Sequence, residues 1–177
     1  MTSDRSGGTT TGPAGVRPDA TTVRTEGLEV IATRTFDATR DLVFRVFSEC
    51  DHLVHWWGPD GWTLPVCKMD FREGGSWFYC MRGPAGEEGC GRSTYREIVR
   101  PERIVYVDEF AESDGTIIGG MPEVVVTIEF ADVDGRTKLT NRARFASAKD
   151  LEAVVAMGME SGLIETWDKL AAYLETV

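Results

Sequence analysis

A chain of 177 residues that is 42% apolar and carries five tryptophans can build one ordinary core, which excludes two full domains, a wholly disordered chain and a fibre. Nineteen Lys and Arg against 29 Asp and Glu give a formal charge of −10, so nucleic acid and an anionic membrane surface are not expected as partners. No apolar run approaches the roughly 20 residues that cross a bilayer.

Residues 1 to 27 hold Gly, Thr, Ser and Pro, no aromatic residue, and only Met1, Val16 and Val23 as large apolar groups. Such a segment cannot bury enough surface to offset the entropy of ordering, so it is expected to be a disordered leader to a domain at 28–177. It lacks the apolar stretch of a secretory signal, which makes the cytoplasm the expected address. Its charges cancel, Arg5, Arg17 and Arg24 against Asp4, Asp19 and Glu26, leaving the whole excess of acid on the domain.

Leu28 to Phe36 is short and β-branched, which predicts a first strand. Leu42, Val43, Val46 and Phe47 then recur at helical spacing behind Asp37 or Thr39 as a cap, and Glu49 to Trp57 predicts a second short helix stopped by Gly58-Pro59. Strand-like runs follow at 62–71, 76–82, 90–99, 103–110, 123–130 and 137–145. Glu73-Gly74-Gly75 and Asp134-Gly135 lie between two of the pairs as hairpin turns, and strands joined by short turns pair antiparallel. From Ser147 a capping-box-like start leads into Leu151, Val155, Gly158, Gly162, Leu163, Trp167, Leu170 and Leu174, read as one long C-terminal helix. Segregated strands and helices argue an α+β fold, with helices packed on one face of an antiparallel sheet.

Several runs also carry a resemblance. Phe36-Asp37-Ala38 with Leu42-Val43-Phe44, then Trp56-Trp57-Gly58-Pro59, Asp70-Phe71-Arg72-Glu73-Gly74-Gly75-Ser76-Trp77, Met81-Arg82-Gly83-Pro84, Tyr95-Arg96-Glu97-Ile98, Pro101-Glu102-Arg103-Ile104-Val105-Tyr106 and Gly158-Met159-Glu160-Ser161-Gly162 occur in this order. They resemble the successive motifs of the bacterial activator of heat-shock-protein-90 ATPase homologues, within the START-like (SRPBCC) superfamily, over residues 28 to 176. Thr39 stands where that family commonly has Pro, and Ser93 where it often has Gly. The resemblance implies a helix-grip fold, a curved antiparallel sheet of about seven strands around a long C-terminal helix, enclosing a pocket for an apolar ligand. It implies no reaction, because the superfamily includes lipid carriers, hormone receptors and polyketide cyclases.

The chemistry-bearing residues are few. His52 and His55 are the only histidines; with no third ligand nearby they read as a solvated helix face, and no metal is expected. Cys50, Cys67, Cys80 and Cys90 show no C-x-x-C spacing and read as reduced thiols. Trp77, Tyr79 and Met81 alternate with Ser76, Phe78 and Cys80, and turning the larger set inward places Cys67 and Cys80 on opposite faces. No nucleotide, dinucleotide or hydrolase motif occurs, so no cofactor is expected.

A binding pocket rests on alternation. Val124, Val126, Ile128 and Phe130 share one strand face; on the next strand Leu139, Asn141, Ala143 and Phe145 do, which puts the polar Asn141 on an apolar face. There it either meets a ligand or bonds to backbone. Gly158 and Gly162 each cost about 1 kcal/mol in a helix interior and either admit close packing or leave room beneath the helix. The expected lining is Phe47, Trp57, Trp77, Tyr79, Met81, Tyr106, Val126, Ile128, Asn141, Met159, Gly162 and Trp167, with Glu97 and Asp108 as further polar groups whose direction the alternation leaves open. The expected function is non-catalytic binding of a small apolar or amphipathic molecule. The alternatives are a polyketide cyclase-like or aromatase-like enzyme using Asn141, Glu97 or Asp108, and a chaperone accessory protein. The chaperone reading is disfavoured because residues 1 to 27 are too short and polar to replace a chaperone-binding domain. A homodimer is compatible with all three.

Overall fold

Alternation of inward apolar and outward polar side chains builds eight strands into one antiparallel sheet. A computed structural model describes residues 20–177, and the expected leader up to residue 19 lies outside the described residues. In chain order the elements are β1 (Thr22–Glu26), β2 (Glu29–Phe36), α1 (Arg40–Ser48), α2 (Cys50–Leu53), β3 (Thr63–Met69), β4 (Ser76–Arg82), β5 (Glu88–Val99), β6 (Arg103–Ala111), β7 (Val124–Val133), β8 (Arg136–Phe145), α3 (Ala148–Ala156) and α4 (Met159–Leu174). The sheet runs β1-β2-β8-β7-β6-β5-β4-β3, every pair antiparallel. Because β8 pairs with β2, the strand after β2 must start at the far edge, and α1 and α2 carry the chain across the concave face to β3.

The core fills that concave face. Val43, Phe44, Val46 and Phe47 of α1 and Trp167, Leu170 and Leu174 of α4 are buried against Tyr106, Val126, Ile128, Phe130, Leu139 and Ala143. Phe47 meets Trp56 and Phe130 edge-on, and Phe36 meets Trp167, at centroid distances of 4.7 to 5.9 Å. Such pairs add about 1 kcal/mol each beyond the area they bury. No helix among the described residues is long and apolar enough to cross a membrane.

Three expectations need correction. Thr22–Glu26, assigned to the leader, form β1, with Thr22 opposite Thr33 and Glu26 opposite Glu29. An edge strand needs main-chain partners rather than a hydrophobic face, so composition concealed it; only Val23 packs against the core. The single C-terminal helix is two, because Gly158 adopts φ 90°, a left-handed conformation that ends α3 and starts α4 at an angle.

The third correction concerns the cysteines, which form two disulfides, Cys50–Cys67 and Cys80–Cys90. Cys67 and Cys80 do lie on opposite faces, since Cys67 pairs with Tyr79 and Val66 with Cys80. The real partner of Cys80 is directly across the next strand, where Cys90 faces it. Cys50 reaches Cys67 only because α2 packs on β3.

Each bridge closes a loop, of 17 and 10 residues, and loops of that length restrict the unfolded chain by about 3 kcal/mol in the entropic account. Reductant should therefore lower the melting temperature, by roughly 6 to 12 °C per bridge. Cys50→Ser with Cys67→Ser should reproduce the larger share in differential scanning calorimetry. An unchanged midpoint would mean that the thiols contribute no cross-link.

Candidate functional site

The concave sheet and α4 do not meet everywhere. Between them lies a cavity of about 250 Å³, walled by β4, β6, β7 and β8, by Phe47 of α1, by α4, and by the Trp57-Gly58-Pro59 turn. Its floor is made by the buried side chains of Phe47, Tyr79, Tyr106, Ile128, Asn141, Thr166 and Trp167. Trp57, Pro59, Met81, Met159, Gly162 and Leu163 are half-buried and form its rim.

The rim is held by α4. Lys169 Nζ donates to the carbonyl oxygens of Gly58, Pro59 and Trp62 at 3.1, 3.3 and 3.1 Å, and Glu165 Oε2 accepts from the Asp60 amide at 2.9 Å. Desolvation holds the Lys169 ammonium below its ordinary pKa, against the favourable charge of Asp60. A Cβ on Gly162 would touch only Pro59 Cγ, at 3.4 Å, so the glycine keeps space open below the helix rather than admitting a backbone clash.

Two polar floor groups have no protein partner among the described residues. Asn141 is 8% exposed and Tyr106 7%, and neither the Asn141 amide nor the Tyr106 hydroxyl makes a side-chain hydrogen bond, while the Thr166 hydroxyl donates to Gly162 O at 2.7 Å. The Asn141 amide is thus not bonded to neighbouring backbone, the other outcome its position on the strand allowed.

Beside the floor lies a carboxyl cluster. Ser93 sits opposite Asp108 on the neighbouring strand and Gly91 opposite Tyr79, which turns Asp108 to the concave side with Tyr106. Asp108 accepts from Ser93 Oγ at 2.8 Å and from the Tyr79 hydroxyl at 3.1 Å. A side chain at Gly91 would collide with the Tyr79 hydroxyl, so this glycine lets the phenol reach across β5. Burial pushes the Asp108 carboxyl up to about 6, against the lowering effect of the Ser93 and Tyr79 hydrogen bonds, and the charge of Glu109 adds to the rise. Burial first, then the Asp108 charge, raises the Tyr79 and Tyr106 phenols well above their ordinary range.

Ten of the twelve residues expected to line a pocket do so. Trp77 and Val126 do not. Trp77 packs edge-on against Trp57 and at a tilt against Tyr79, donating to Cys67 Sγ, and Val126 is closed over by its neighbours in the core. Glu97 also lies outside, because a bulge between Tyr95 and Glu97 re-aims it to an ion pair with Arg103. Of the histidines read as a solvated face, His55 is exposed and stacks on the Tyr173 ring, whereas His52 is half-buried, with Nδ1 2.7 Å from the Tyr173 hydroxyl. Gly58, Pro59, Leu163 and Thr166 were missed. Leu163 and Thr166 continue the helical spacing of Met159, Gly162 and Trp167, a signal that was present, whereas Gly58-Pro59 read only as a helix stop.

An acid whose folded pKa lies above its unfolded value of 3.8 favours the folded state when protonated. The Asp108 contribution is complete below that value and is lost as pH rises through about 6. The stability gap between Asp108→Asn and the parent chain should therefore shift in favour of the variant from pH 4 to 6.5 and then level off. The total shift should approach about 3 kcal/mol in urea titrations. A gap independent of pH would show that this carboxyl is well solvated.

The comparisons agree with this architecture. A protein from Mycobacterium smegmatis is 27% identical, with a TM-score of 0.80 over 86% of this chain and 95% of its own. One from Arthrobacter aurescens is 26% identical, with a TM-score of 0.80 over 88% and 92%. One from Staphylococcus epidermidis is 28% identical, with a TM-score of 0.77 over 88% and 94%. No curated protein matches the chain. With the model of one family matching residues 37–175 and a sheet that grips its C-terminal helix, the chain belongs to the Activator of Hsp90 ATPase homolog 1-like protein family.

Proposed function

We propose that the protein binds a small hydrophobic or amphipathic molecule in the cavity beneath α4 and performs no reaction on it. The observation that carries this reading is a half-open, mainly apolar pocket with a half-buried rim, on whose lining the Asn141 amide and the Tyr106 hydroxyl have no protein partner. Such a pocket keeps apolar side chains in contact with water, and its two unpartnered polar groups have only water to bond. A ligand with an apolar body and a polar group would relieve both.

Asp108 favours a second reading. A carboxyl with a pKa of about 6, bonded to the Tyr79 phenol at the cavity wall, has the makings of an acid–base pair for an enzyme of cyclase type. In that reading Tyr79→Phe abolishes turnover, whereas in the binding reading it leaves ligand affinity within a few-fold. The address of the protein is tied to the cysteines: cytoplasmic thiols are kept reduced, and bridges that support stability fit an oxidising compartment.

Gly162→Leu tests the cavity. The Cβ fits against Pro59 and helix propensity improves by about 1 kcal/mol, so the variant should fold, with its side chain occupying the space below. Binding of an apolar fluorescent probe, followed by tryptophan quenching, should weaken more than tenfold, while Gly162→Ala should bind much as the parent does. A folded Gly162→Leu that binds the probe undiminished removes this cavity as the binding site.

A further inference from the structure

The cavity reading does not say what chemistry the ligand carries; the lining does. Every residue around the cavity is uncharged. The Lys169 ammonium beside the rim is spent on three carbonyl groups of the rim turn. Of the anions around it, Glu165 accepts from the Asp60 amide at the rim, and Asp108 lies behind Tyr79 and accepts a hydrogen bond from its hydroxyl. A carboxylate carried inside the pocket would leave water with no counter-charge and would meet the field of Asp108, and an unpaired charge is costly to desolvate. An ammonium ligand would find no acceptor at the surface of the cavity beyond neutral oxygen atoms.

The pocket is open at its rim, so its volume sizes the part of a ligand that it covers. A cavity of about 150 Å³ holds benzene, so 250 Å³ has room in proportion for about ten non-hydrogen atoms. Aromatic side chains on several sides, Phe47, Trp57, Tyr106 and Trp167 among them, suit a flat ring system. Asn141 and Tyr106 stand on β8 and β6, on either side of β7, and face the same space with a free amide and a free hydroxyl.

We infer that the ligand is an uncharged aromatic molecule of about ten ring atoms bearing a hydroxyl or carbonyl group, which pairs with the Asn141 amide or the Tyr106 hydroxyl. This rests on the binding function proposed above. Its content is selectivity: neutral polar aromatics over bare hydrocarbons, and both over ions of the same shape.

Four probes with one ring system separate the possibilities: naphthalene, 2-naphthol, 2-naphthoate and 2-naphthylmethylammonium, titrated calorimetrically at pH 7 into the intact protein. 2-Naphthol should bind more tightly than naphthalene by on the order of fivefold or more, as one net hydrogen bond provides, and both ions should bind more weakly than naphthalene. Asn141→Leu with Tyr106→Phe should erase the advantage of 2-naphthol while leaving naphthalene affinity within about twofold; each single variant keeps the comparison readable if the double variant folds poorly. If naphthalene binds and 2-naphthol binds no better, or if either ion binds best, the selectivity is wrong while the cavity stands. If none of the four binds, the binding function itself has failed.

Discussion

The grip of α4 on the turn after α2 sets the shape of the concave face. Three backbone carbonyls of 58–62 converge on the Lys169 ammonium, and the Asp60 amide is taken by Glu165 one turn earlier. Hydrogen bonds to a charged group are worth more than neutral ones, and these fix the helix against a turn instead of against the sheet. One stripe of α4 therefore runs along the turn and α2: Gly162 over Pro59, Lys169 on the carbonyls, Tyr173 beside both histidines. The sheet curves away beneath the first half of that stripe, and the cavity is the space left between.

Strands and their order were legible in the sequence because alternation reports burial directly. The runs at 76–82, 103–110 and 137–145 correspond to β4, β6 and β8 within a residue or so at either end, since each has one face in the core and turn residues at its limits. Elements whose order depends on backbone alone were not legible. β1 is polar and mostly exposed, so nothing in its composition distinguishes a hydrogen-bonded edge from a loose tail. Gly158 was visible as a glycine, but its left-handed conformation depends on where the chain must turn, which spacing along one helix does not encode.

The site was legible to the same depth and for the same reason. Asn141 announced itself as a polar residue on an apolar face, and Tyr106, Ile128 and Met159 followed from their periodicity. Asp108 did not, because both faces of β6 carry apolar residues; only its pairing with Ser93 decides the direction. The direction of Glu97, left open by the alternation, is decided by a bulge that shifts the pairing by one residue just before it. The disulfides were hidden for a tertiary reason. Cys67 has its partner on a helix that precedes the strand, and the cross-strand partner of Cys80 lies one hairpin further than the pair weighed from sequence.

What separates a functional cavity from a packing defect is whether unfavourable features gather around it. Away from it, polar groups are paired: Thr137 donates to Ala38 O, the Ser147 side chain caps α3, and the Arg34 guanidinium, whose Nε alone is enclosed without a partner, is bonded through Nη1 to Asp168. Around the cavity, a helix-interior glycine, an unpartnered amide, an unpartnered hydroxyl and a desolvated carboxyl stand within one wall and its backing. The glycine costs about 1 kcal/mol against alanine and the desolvated carboxyl adds to that, in a fold that holds together by roughly 5 to 15 kcal/mol. A sequence under selection for stability alone would lose them singly, by Gly162→Ala, Asn141→Leu, Tyr106→Phe or Asp108→Asn, since none of these needs a compensating change elsewhere. Their concentration in one place is what a preorganised binding site requires, because groups left unpaired in the free protein are the ones a ligand can satisfy.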